Sequence, residues 1–207
     1  MSLVKLNNNA VKNVTTFGSV SGGSITFIKK LTASSSSTLS FVDGASSVVL
    51  DNTYKEYLFI FNNIHPSAEN PNFAFNLSVD SGSNYNVTKT STAFFAQHGE
   101  SGTGGELNYS TARDLAQSTG IQHLTNEAGN DNDQGVSGYL HLFNPSSTTF
   151  VKHFISSTNS NFKYSEPYAY NHYIAGYGNT TSAVDAIQFS FSSGNIDSGD
   201  IALYGIN

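Results

Sequence analysis

Apolar and polar residues alternate in short runs along most of the chain. The clearest run covers residues 73–79, where Phe73, Phe75, Leu77 and Val79 take every second position. Because successive side chains of a strand point to opposite sides of a sheet, this run predicts a strand with one buried face.

Similar runs recur at short spacing and are separated by turn residues such as Asp43-Gly44 and Gly194-Asn195. The most apolar run, Tyr54–Ile64, predicts a central strand that ends at His65-Pro66. The remaining strands are predicted at Ile25–Ile28, Thr38–Val42, Gly138–Phe143, Thr149–Ser156, Tyr168–Tyr177, Ala186–Phe191 and Ile201–Gly205.

Roughly nine or ten short strands at regular spacing are typical of a sandwich or jelly roll. One short helix is predicted at Thr111–Gln117, followed by Gly120, and glycine-rich or polar loops are predicted at residues 99–108 and 126–135. The sequence therefore predicts an all-β fold. We expect a jelly-roll-like antiparallel β-sandwich over residues 25–207, with at most one short helix.

Residues 1–24 lack this alternation and end in Ser21-Gly22-Gly23-Ser24. One interpretation is a terminus without a specific role. The other is an irregular N-terminal arm that docks on a neighbouring subunit through apolar anchors, namely Val4, Leu6, Val11, Val14 and Phe17.

Charge and composition exclude several classes of function. The net charge is −6 and only 12% of residues are charged, which disfavours binding to a phosphate backbone or to an anionic membrane. The absence of cysteine excludes disulfides and thiolate metal sites. The sequence has neither an apolar secretion signal nor a run of about 18 apolar residues, so we expect no membrane insertion.

The sequence contains few residues in the spacing that a metal or cofactor site requires. The loop Glu127–Gly135 alternates Asp and Asn before a glycine, as calcium loops do, but it lacks the closing Glu, and a solvated acidic loop is the alternative. Six histidines occur without metal-ligand spacing, although His141 and His153 fall in adjacent predicted strands and could be cross-strand neighbours. We predict no metal site and no cofactor.

No catalytic residues are predicted. The chain has no G-x-S-x-G elbow, and its acids fall mostly in predicted turns, where local hydrogen bonds explain them. A glycosidase, which needs two carboxyls about 5 to 9.5 Å apart in a cleft, is the enzymatic alternative.

A tyrosine cluster is the candidate binding site. Tyr164, Tyr168 and Tyr170 lie close together in the sequence, and exposed tyrosines in loops can stack on sugar rings or form an interface. The alternative is that Tyr168 and Tyr170 begin a strand and pack in the core.

Five blocks of sequence occur in a characteristic order over residues 31–206: Leu31–Phe41, Tyr54–Pro66, Phe75–Tyr85, Gly138–Ser147 and Phe191–Ile206. In this order they resemble small β-rich virion structural proteins of tailed bacteriophages, such as marine cyanophages. Each block is a predicted strand with its turn, so the resemblance concerns the fold and supplies no catalytic residues.

The resemblance implies a non-enzymatic protein of the virion surface that is assembled in the host cytoplasm. It implies contacts with other capsid or tail proteins, and a homotrimer by analogy. The first expectation is capsid decoration through the N-terminal arm. The alternative is a tail-fibre or receptor-binding tip that recognises a host surface glycan.

Overall fold

The structure, a computed structural model, describes residues 24–163 and 167–207. Within them the chain is all β and contains no helix, and two antiparallel sheets pack as a sandwich. The predicted all-β sandwich is therefore confirmed. The proposed arm with its anchors Val4, Leu6, Val11, Val14 and Phe17 lies outside the described residues, and so does Tyr164.

Twelve strands are described. Their bounds are β1 (Ile25–Thr32), β2 (Leu39–Val42), β3 (Glu56–Pro66), β4 (Phe73–Ser78), β5 (Lys89–Gly99), β6 (Glu106–Tyr109), β7 (Gln122–His123), β8 (Gly135–Phe143), β9 (Lys152–Lys163), β10 (Pro167–Gly178), β11 (Ala186–Phe191) and β12 (Ile196–Ile206).

The two sheets differ in size. The large sheet has the strand order β1-β12-β3-β8-β9-β10-β5-β6, and the small sheet has the order β2-β11-β4-β7. The small sheet packs on one face of the large sheet, through pairs such as Phe41–Phe59 and Phe61–Phe73. The opposite face of the large sheet is called the outer face below.

The core between the sheets is built from phenylalanines. Phe189 of β11 lies 5.2 Å from Phe61 of β3, measured between ring centroids, and Phe75 of β4 lies 5.1 Å from Phe154 of β9. Most of these pairs meet edge to face or tilted, the arrangement that the charge distribution of aromatic rings favours. Val79, in contrast, follows the end of β4 and is exposed, although the sequence pattern placed it with the core.

The helix predicted at Thr111–Gln117 is wrong. This segment makes one turn, in which the amides of Arg113 and Asp114 donate to the carbonyl of Ser110, and then runs irregularly beside β5. The amide of Ser91 on β5 donates to the carbonyl of Leu115, 2.9 Å away. Bonds to a neighbouring strand thus replace the bonds that would have formed a helix.

Three strands were not predicted. β5 carries few strong apolar residues outside its centre, β7 has only two residues, and β6 occupies residues that were assigned to the glycine-rich loop 99–108. All four side chains of β6 are exposed, so no apolar alternation marks it in the sequence. Pairing with β5, which places Leu107 opposite Ala96, is what makes it a strand.

Candidate functional site

An open, polar pocket lies on the outer face of the large sheet, near the end of β3 and the start of β8. Its volume is about 560 Å³, and most of its lining is polar. The residues that line it are Asn63, His65, Glu100, Asn132, Asp133, Gln134, Gly135, Ser137, Asn159, Asn161, Tyr168, Ala169 and Ser198.

The floor of the pocket comes from strand positions that share one face. On β9, Asn159 and Asn161 are two residues apart and therefore point to the same side. Asn159 pairs with Ser137 of β8, and Asn161 pairs with Ala169 of β10. The antiparallel register of these three consecutive strands thus places Ser137 and the two asparagines side by side, next to the small side chain of Ala169.

A bulge in β3 brings Asn63 to the rim. The register of β3 with β8 shifts between Phe61 and Ile64, and Asn63 has a φ of 49°. Asparagine adopts this left-handed conformation more easily than most residues. The amide of Asn63 then donates to the Ser137 hydroxyl, 3.1 Å away, which joins the bulge to β8.

The loop before β8 forms one wall, and Asn161 holds it in place. The Asn161 Oδ1 atom accepts from the amide of Gly135, and its Nδ2 atom donates to the carbonyl of Asp133, both at 2.8 Å. Asn132 and Asp133 are exposed on this wall. Asn161 is therefore a positioning residue, and the loop side chains remain at the pocket surface.

Glu100 and Tyr168 form the opposite wall. The amide of Glu100 donates to the carbonyl of Pro167, 3.0 Å away, so the loop after β5 is fastened to the start of β10. Gly104 has a φ of +68°, and a Cβ atom there would stand 3.0 Å from the Tyr168 ring. Glycine at this position lets the loop pack closely against Tyr168.

Two members of the predicted tyrosine cluster, Tyr168 and Tyr170, pack together with ring centroids 6.2 Å apart, and both rings contact Phe162. Tyr168 is half-buried and lines the pocket. Tyr170 is only 7% exposed, points between the sheets and stacks on His172 with ring centroids 5.6 Å apart. Burial raises the pKa of Tyr170 to about 12. Tyr170 is therefore a core residue that a glycan cannot reach, and the role of Tyr168 stays a prediction.

The strongest pKa shifts belong to the interior. Burial, together with the smaller effect of the Arg113 charge, lowers the pKa of His172 to about 3 and that of His123 to about 4. Burial also lowers the pKa of Lys89 to about 8. The Lys89 ammonium donates to the carbonyl of Val87, 2.9 Å away, and to the Asn76 side chain. Structural hydrogen bonds thus account for this buried lysine.

His141 and His153 lie on adjacent paired strands, as the sequence suggested, but they are not opposite each other. His141 of β8 lies opposite Ile155, and His153 of β9 lies opposite Tyr177 of β10. Across the described residues, no group of three histidine or acidic side chains comes together as a metal site. Nor does this part of the chain contain a helix that is long and apolar enough to cross a membrane.

Sequence reasoning missed most of the pocket. The Asn-x-Asn spacing at residues 159 and 161 and the Asn62-Asn63 pair at the end of an apolar strand were visible signals. Neither signal shows which strands become neighbours. The loop Glu127–Gly135 was noticed, but as a possible calcium loop rather than as the wall of a pocket.

The fold and the site define a class: a two-sheet β-sandwich with an open pocket of amides and carboxylates on the outer face of its large sheet. Comparisons with protein-family models, with curated proteins and with solved structures found no match for this chain.

Proposed function

We propose that this chain is a non-enzymatic protein of a phage particle surface whose polar pocket binds a host surface glycan. The observation that carries the proposal is the pocket of about 560 Å³ lined mainly by amide and carboxylate side chains. This volume lies within the range of about 300 to 1,000 Å³ that is usual for small-ligand sites.

The chemistry of the lining matches a polyhydroxylated ligand. Each asparagine or glutamine side chain offers both donors and an acceptor, and a carboxylate offers acceptors only. Neighbouring hydroxyls of a sugar ring can donate to Asp133 or Glu100 while they accept from an amide.

The charge of the pocket favours an uncharged or amino sugar. Glu100 and Asp133 are its acidic side chains, and its described lining contains neither lysine nor arginine. Phosphate and carboxylate ligands are bound mainly by such cations. We therefore expect glycans that carry phosphate, sulfate or sialic acid to bind poorly.

A binding role without chemistry is supported by the position of the perturbed groups. Catalytic groups tend to have shifted pKa values and to face a cleft. In the described part of this chain, the large shifts belong to buried groups such as His123, His172 and Lys89, which do not line the pocket.

The association with a phage particle rests on the resemblance of the five ordered blocks over residues 31–206. Of the two particle roles, the pocket favours a receptor-binding tip over capsid decoration. Attachment to a capsid requires a surface that matches the shell, whereas a cavity with converging hydrogen-bonding groups suits a small, soluble or surface-linked ligand.

The binding proposal is tested with the labelled full chain on an array of bacterial surface glycans that includes neutral, amino-sugar and acidic members. We expect binding to neutral or amino-sugar glycans. Asp133→Ala and Glu100→Ala should each weaken binding about tenfold or more, since a hydrogen bond to a charged group contributes about 1.5 to 3 kcal/mol. Isothermal titration with the best array ligand measures the loss.

Glu106→Ala is the matched control. Glu106 is an exposed acid on β6 outside the pocket lining, so its removal changes the net charge equally and should leave affinity unchanged. Equal losses in all three variants, or no binding to any glycan on the array, would contradict the proposal.

The position on the particle is tested by cryo-electron microscopy of the virion that carries the chain. Density at tail or fibre ends is expected for a receptor-binding protein. Density at regular capsid positions would instead identify a decoration protein and remove the receptor-binding proposal.

A further inference from the structure

The outer face continues beyond the pocket as a surface of exposed apolar side chains. Six of the eleven large hydrophobic residues that are exposed in the described chain lie on five adjacent strands of this face. These six residues, called the apolar face here, are Tyr139 of β8, Ile155 of β9, Tyr173 of β10, Phe94 of β5, and Leu107 and Tyr109 of β6.

Strand register joins these side chains into one continuous surface. Tyr173 pairs with Phe94, and Phe94 pairs with Tyr109, so three aromatic side chains stand side by side on neighbouring strands. The rings of Phe94 and Tyr173 stack with centroids 4.9 Å apart. Large contiguous apolar surfaces are rare on monomeric proteins and usually mark a contact site.

The outward strand positions of the apolar face are uncharged although the chain is acidic. The outward positions of Tyr139–Phe143, His153–Asn159, Asn171–Tyr177, Thr90–Ala96 and Leu107–Tyr109 contain no Asp, Glu, Lys or Arg. With a net charge of −6, two copies repel each other over most of their surfaces. Carboxylates occur at its margin, where Glu56 lies 3.9 Å from His141 and Asp114 accepts from the Tyr109 hydroxyl. The strand positions between them let two copies meet with few like charges opposite each other.

The face also contains both a groove and a ridge. A mainly apolar groove of about 440 Å³ lies over Ala175, whose side chain is small, and the backbone of Gly176. Beside it the stacked rings of Phe94 and Tyr173 form the ridge. A two-fold contact places the same patch on both copies, so the ridge of one copy can enter the groove of the other.

We propose that the apolar face binds a second copy of this chain. The geometry also provides enough area, once the outward Leu58 and Ile60 of β3 are included. Six adjacent strands about 4.8 Å apart and about six residues long cover roughly 29 Å by 20 Å. Two copies together would bury about 1,200 Å², which exceeds the roughly 1,000 Å² expected of a specific interface.

The test is the mass of the full chain by light scattering after gel filtration at micromolar concentration. Ile155→Glu and Leu107→Glu each place a charge on the face, at side chains that are 50% and 69% exposed and therefore tolerate substitution in the folded chain. Across a two-fold contact each variant brings two like charges into an apolar interface. We expect each to weaken association about a hundredfold.

Phe150→Glu is the matched control, because Phe150 is 67% exposed but lies between β8 and β9, outside the face. An oligomer that both face variants dissociate and the control does not supports the proposal. A monomeric wild-type chain, an oligomer that either face variant leaves intact, or equal dissociation by the control would overturn it.

A chain that begins at Ser24 tests whether residues 1–23, rather than a second copy, cover the apolar face. Should the full chain be monomeric and this shorter chain associate through the face, residues 1–23 rather than a second copy cover the face. That result also overturns the proposal. Glycan binding is measured separately, so the failure of one proposal leaves the other standing.

Discussion

His172 shows how a single buried residue is tied to the packing of the sandwich. Its ring stacks on Tyr170, its Nε2 atom accepts from the amide of Asn126 at 3.3 Å, and the Ser160 hydroxyl lies 3.1 Å from the same nitrogen. A protonated ring would lose this acceptor and would place a charge in the core near Arg113. Burial and that neighbouring charge therefore keep the ring neutral.

Stability should fall in mild acid because of His172. Its folded pKa is about 3 against 6.5 for a free histidine, so between these values the unfolded chain binds more protons. The free energy of unfolding is therefore unaffected by this group above pH 6.5 and falls as the pH drops toward 3. The expected loss is about 2 to 3 kcal/mol near pH 4.5.

Urea unfolding of the wild type and of His172→Gln at neutral and acid pH measures this effect. Other groups titrate in both chains, so the difference between their pH-dependent losses reports His172 alone. The glutamine variant should be less stable at pH 7 but should lose less stability on acidification. If both chains lost the same unfolding free energy on acidification, the pH dependence would belong to groups other than His172.

At the scale of elements, Gly138 explains how β8 can lie close to β9 beside the pocket. Its φ is +152°, and a Cβ atom would stand 2.7 Å from the Cα atom of Thr158 and would also clash with the carbonyl oxygen of Ser157. Only glycine avoids both the clash and the strained backbone. The register that pairs Ser137 with Asn159, and so forms the pocket floor, depends on this close approach.

Gly138→Ala should destabilise the sandwich by about 2 to 4 kcal/mol, because rigid backbone atoms of β9 would have to move. Thermal and urea unfolding measure the change. Gly120→Ala is the control, since a Cβ atom there meets only the flexible hydroxyl of Ser118, and its effect should stay within about 0.5 kcal/mol. Similar effects at the two positions would contradict this role for Gly138.

Individual elements differ in how well the sequence predicts them. β3 and β4 were predicted because buried phenylalanines alternate along them. β6 has no buried side chain, and its position in the sheet depends on pairing with β5. The helix predicted at Thr111–Gln117 failed because a local pattern does not reveal that a neighbouring strand offers the backbone other partners.

At the scale of the whole molecule, the described strands from β1 to β12 share one continuous core. β1 begins at Ile25 and pairs with β12 along its length, and Ile28 and Leu31 pack against the core. The division into an N-terminal arm and a sandwich over residues 25–207 therefore remains our proposal for the domain organisation.

A chain that begins at Ser24 should melt within about 2 °C of the full chain, because it keeps every side chain of the described core. A chain that begins at Ala33 lacks β1 and should melt at least about 5 °C lower, since Ile28 and Leu31 are lost and the edge of β12 is exposed. Scanning calorimetry measures both. A large loss in the first chain would show that residues 1–23 belong to the folded domain.

The sequence by itself determined the all-β class and the identity of most core strands, because alternation with a period of two is a local property that burial imposes directly. It also limited the charge of any binding surface. Only the tertiary structure decided that Tyr170 turns inward, that residues near 63, 133, 159 and 168 meet in one pocket, and that the apolar side chains of five strands form one face. These features depend on strand order and register, which arise from pairing between segments far apart in the chain.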